Sequence, residues 1–67
     1  MTAERVRTLL LRGDNLLKSA RPERYGRAME AFEEARAAAR DDDVSPEVHD
    51  LVERRIEGLR QTMGDGS

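Results

Sequence analysis

An all-α fold, a three-helix antiparallel bundle, is predicted for this 67-residue chain by three observations. Apolar residues recur at helical spacing in three separate segments. Proline and an acidic run fall between those segments, where a chain must turn. No segment shows the strict alternation of a strand.

The first helix is expected over Ala3–Ala20. At 100° per residue, Val6, Leu9, Leu10, Gly13, Leu16, Leu17 and Ala20 fall on one stripe about 120° wide. Leu11 falls on the opposite side, beside Arg7 and Lys18. It is a candidate partner contact as well as an ordinary exposed leucine.

A second helix is expected from Pro22 or Tyr25 to Arg40. Within it the stretch RYGRAMEAFEEARAAAR carries six alanines. Tyr25, Met29 and Phe32 lie along one edge of its apolar face, and Ala28, Ala31, Ala35 and Ala38 along the other. Small residues in a row let another backbone come close. A helix with a bulky edge and a bare edge is therefore expected in the middle of the three, with one neighbour on each edge.

The third helix has a clear start. Ser45 suits an N-cap, Pro46 the first helical position, and Glu47 the positive end of the helix dipole. Val48, Leu51, Val52, Ile56, Leu59 and Met63 form its stripe, with Arg55 inside it as a snorkelling side chain or a charged partner contact. Asp41, Asp42 and Asp43 oppose the dipole of the preceding helix and help to stop it. Gly64 is expected to end the third helix. One domain over residues 1–63 and a flexible tail over 64–67 follow.

Composition bounds the function. There is no cysteine, so disulfides and thiolate metal sites are excluded, and His49 alone cannot build a zinc site. A chain this short buries only about 60% of its unfolded surface, so a partner chain is the remaining common support. No apolar run approaches the roughly 20 residues of a membrane span, and the N-terminus does not read as a signal peptide. A cytoplasmic setting is the expectation. The arginine- and alanine-rich usage suits a GC-rich bacterial genome. Charge is uneven: residues 1–27 carry seven bases against three acids, and residues 28–67 carry five against eleven. Such an asymmetry suits an acidic partner or a second copy of the chain.

The pattern around the middle helix resembles the tetratricopeptide repeat. Gly13 matches the small residue of the repeat's first helix, and Tyr25, Ala28, Phe32 and Ala35 match its second-helix positions in register. The match covers roughly Leu9–Arg40. The connection KSARPERY is longer than the family's turn, the early tryptophan-like position is not aromatic, and the terminal proline is missing. The spacing is also similar to that of the three-helix microtubule-interacting-and-trafficking domain. The repeat resemblance implies a helical hairpin followed by a third, capping helix. It also implies a binding face on the first helix, at Arg7, Leu10, Asp14, Leu17 and Lys18. The two positions that the family's carboxylate-clamp members fill with Lys and Asn are Leu10 and Asp14 here, so that peptide chemistry is not implied. With Leu11 and Arg55, these residues form the candidate partner-binding set.

Catalysis is not expected. The paired carboxylates lack a cleft, the calcium-loop pattern is absent, and Gly13 and Gly26 are isolated inside helices rather than in a phosphate loop. No cofactor, metal or small-molecule substrate is expected. The function read from the chain is a non-catalytic protein–protein interaction module, self-associating or docking on a larger protein. The alternatives are a structural domain without a partner surface of its own and a weak nucleic-acid binder. The third helix mixes Arg54, Arg55 and Arg60 with four acids, which disfavours it as a recognition helix.

Overall fold

A computed structural model describes residues 2–41 and 44–65. It contains α1 (Thr2–Lys18), α2 (Arg24–Asp41) and α3 (Pro46–Asp65), with no strand among the described residues. The three helices form an all-α bundle in which α2 packs along both α1 and α3, while α1 and α3 barely touch. The middle position expected of α2 is observed.

The core explains the order. Val6 and Leu10 come from α1, Ala28, Phe32, Ala35, Ala38 and Ala39 from α2, and Val52, Ile56 and Leu59 from α3. Phe32 is the largest fully buried side chain. Arg36, on the bulky edge of α2, pairs with Glu53 of α3. Ala31, on the small edge, lines a hollow with Leu16 of α1. Phe32 sits on the seam between the two edges, its ring against the backbone of Gly13. A side chain at Gly13 has no room: a Cβ there would lie 2.7 Å from Phe32 Cδ1.

The small edge of α2 is fully committed, since Ala28 and Ala35 have no exposed surface. Replacing either by leucine inserts three carbons between close helices and is expected to cost about 1–3 kcal/mol. Thermal melts followed by circular dichroism read this directly. Variants that melt with the parent would refute close packing at these alanines.

The helix ends differ from the sequence expectation in detail. α1 stops at Lys18, because the Ser19 amide and hydroxyl both turn back to the Leu16 carbonyl, at 3.1 and 2.9 Å. Pro22 is not in α2. It follows Arg21 in a turn closed by the Arg24 amide on the Arg21 carbonyl at 3.2 Å, the second turn position that proline's fixed φ favours. After α2, the Val44 amide reaches back to the Ala39 carbonyl at 3.4 Å, the long closure of a Schellman-type end, and Val44 packs on the core. Of the expected stop signal, Asp41 is the last residue of α2, and Asp42 and Asp43 lie outside the described residues. α3 does start at Pro46. The Ser45 carbonyl accepts from the amides of Val48 and His49, while its hydroxyl makes no bond among the described residues.

Gly64 does not end α3, which continues to Asp65. A glycine in the last turn lowers helix propensity without forbidding the helix. Of the expected tail, Gly66 and Ser67 lie outside the described residues. Two members of the α3 stripe, Leu51 and Met63, are exposed rather than buried, at 37% and 42%. Because α3 rests on α2 and hardly on α1, its contact is narrower than its apolar stripe.

Candidate protein-docking site

The limited contact between α1 and α3 leaves a groove between them. One hollow, of 250 Å³, is lined by Arg7, Leu10, Leu11, Asp14, Leu51 and Arg55. A second, of 410 Å³, lies further along the same two helices and is lined by Leu17, Tyr25, Phe32 and Leu59 among others, again reaching Arg55. The Arg55 guanidinium donates to Asp14 Oδ2 at 3.2 Å and so crosses the groove where the two hollows meet.

Five of the seven candidate contact residues therefore gather at one place: Arg7, Leu10, Leu11, Asp14 and Arg55. Their roles are not alike. Leu10 is only 3% exposed and belongs to the core, so the outward position expected of it is corrected. Its side chain points under the groove and serves as floor. Leu11 stands at the edge with 62% of its surface exposed. Arg55 turns across to Asp14 instead of extending into solvent, so its first partner is intramolecular. Leu17 is half-buried and lines the second hollow. Lys18, the last residue of α1, is exposed and lines neither hollow.

Electrostatics along the groove are simple. The Asp14–Arg55 pair is well over a quarter exposed on both sides, and such pairs contribute roughly 0.2–1 kcal/mol. The second interhelical pair, Arg36–Glu53 at 3.0 Å, lies on the far side, linking α2 to α3. There Arg36 Nε is buried and makes no directed hydrogen bond, so the contact is one of charge rather than geometry. Arg7 makes no ion pair among the described residues. Arg24 is occupied locally, its guanidinium 4.7 Å from the centre of the Tyr25 ring and 3.2 Å from the Tyr25 hydroxyl.

Sequence reasoning missed Leu51 as a surface residue. Its place in the α3 stripe masked it; only the spacing of α1 from α3 reveals it. Among the described residues no three of His, Cys, Asp and Glu gather to hold a metal ion. No helix among them is long and apolar enough to cross a membrane. No family model, curated protein or solved structure matches the chain.

Proposed function

We propose that this chain is a non-catalytic protein-interaction module whose α1–α3 groove receives a segment of another polypeptide. The observation that carries the reading is one apolar hollow with Leu10 as floor and exposed Leu11 and Leu51 as rims, beside an Arg7 that makes no ion pair among the described residues. Apolar anchors with a few charged groups at the margin are the ordinary composition of a protein-docking surface. A likeness to the tetratricopeptide repeat is supported by the seat of Phe32 on Gly13 and by the burial of Ala28 and Ala35, the small positions of that pattern. In this reading α1 and α2 form the hairpin and α3 is the helix that follows, and the module works in the cytoplasm.

The test is a selection from a random peptide library displayed on phage, with the folded chain as bait. Enriched peptides are then measured against Leu11→Glu and Leu51→Glu, with Ala37→Glu on the outer face of α2 as control. The expected result is about a tenfold or greater loss for the first two, a change of about 1.4 kcal/mol, and no change for the control. Failure to enrich, or peptides indifferent to all three variants, would refute the groove as the docking surface.

A further inference from the structure

We infer that the polypeptide received by the groove is the same groove of a second copy. The two chains are related by a two-fold axis parallel to the helices, with Leu11 of each chain against Leu51 of the other. This inference rests on the groove being a docking surface and names its occupant.

The argument is one of register and charge. The Asp14–Arg55 pair sets α1 and α3 side by side, so that Leu11 stands level with Leu51 across the groove. One turn before Leu11 lies Arg7, and one turn before Leu51 lies Glu47. After the leucines come Asp14 on α1 and Arg55 on α3. Read in the same direction, the α1 rim is base, leucine, acid and the α3 rim is acid, leucine, base. A two-fold axis along the helices lays the α1 rim of one chain on the α3 rim of the other without reversing direction. It sets Arg7 against Glu47 and Leu11 against Leu51, and lays the internal Asp14–Arg55 pair of one chain beside that of the other. Isologous contacts of this kind form each pair twice.

A perpendicular two-fold axis would instead bring Arg7 onto Asp14, which Arg55 already holds. The parallel axis joins two groups, Arg7 and Glu47, that have no ion pair in the single chain among the described residues. It also covers the two exposed leucines of the groove together. Size sets the strength. The Cα atoms span 35 × 18 × 14 Å, so no face of the chain offers more than on the order of 600 Å² per copy, the low end for a specific interface. The dimer is therefore concentration-dependent.

Light scattering and sedimentation equilibrium test it over roughly 10 µM to 1 mM, a span suited to an interface of this size. The parent is expected to pass from the mass of one 7.6 kDa chain to that of two. Leu11→Glu, Arg7→Glu and Glu47→Arg should each remain single, with helicity unchanged by circular dichroism. The double variant Arg7→Glu with Glu47→Arg should recover the dimer. A parent that stays single throughout overturns the second copy as occupant but leaves the docking surface to be judged by the peptide selection. A dimer that survives Leu11→Glu, or that the charge exchange does not restore, overturns this arrangement.

Discussion

Replacing Phe32 by alanine is expected to cost about 3–5 kcal/mol and to leave the protein at best marginally folded at 25 °C. The ring is 1% exposed and lies where the three helices converge, against Gly13 of α1 and beside Leu59 of α3. Truncating a buried phenylalanine costs about 3–5 kcal/mol, the lost transfer energy plus that of the void left behind. A chain of this length has a total stability of roughly 3–10 kcal/mol at the usual value per residue. The loss is thus comparable to the whole. Collapse around the void is limited at Gly13, which has no side chain to swing in, while Leu17, Tyr25 and Leu59 border the ring on its other side. Helical ellipticity against temperature reads the outcome. A cooperative melt within about 5 °C of the parent would mean a loss near 1 kcal/mol or less, and would show that Phe32 is not the keystone of the core. Phe32→Leu, which keeps most of the volume, should fold and melt between the two.

The sequence carried the fold because each helix has its own short-range signal. The period of Val6, Leu10 and Gly13 marks the buried face of α1, and the alanine row of α2 marks a helix flanked on both sides. What stayed hidden concerns relations between helices. Nothing local in α3 says that Leu51 is a rim residue while Val52 is core; that depends on α3 resting on α2 and standing off α1. The Asp14–Arg55 and Arg36–Glu53 pairs join residues far apart in the chain, and many other pairings of the same charges satisfy the same pattern. Leu10 shows the ambiguity in one residue. It belongs to the apolar stripe and also to the face that the repeat resemblance turns outward, and burial against α2 decides for the core. Lys18 drops out because α1 ends there. Helix ends were least legible, since Ser19, Arg24 and Val44 close turns through backbone bonds that residue type only suggests. The candidate site was legible in membership more than in role: Arg7, Leu11, Asp14 and Arg55 do share one groove, but Arg55 spends its charge on Asp14.

A side chain at Gly13 is expected to destabilise the protein although glycine is the poorer helix former. In an open helical position, exchanging glycine for alanine gains about 0.5–1 kcal/mol. Gly58 and Gly26 are such positions, with nothing within 4 Å of an added Cβ, and Gly58→Ala should raise the melting temperature by several degrees. At Gly13 an added Cβ would lie 2.8 Å from Phe32 Cζ as well as against Cδ1, so the ring or the helix must move. Overpacking of this kind costs about 1–3 kcal/mol and occasionally more, which exceeds the propensity gain. Gly13→Ala should therefore lose about 1–2 kcal/mol, and Gly13→Leu about 3 kcal/mol or more. Phe32→Leu makes room, so the cost of Gly13→Ala should shrink in that background. The difference is the coupling energy of a double-mutant cycle, and contacting residues give about 0.5–3 kcal/mol. Denaturant melts of the four proteins measure it. If Gly13→Ala stabilises to the same extent as Gly58→Ala, or if its effect is the same with phenylalanine or leucine at position 32, then the glycine is not there to seat the ring. The close approach of α1 to α2 would then need another cause.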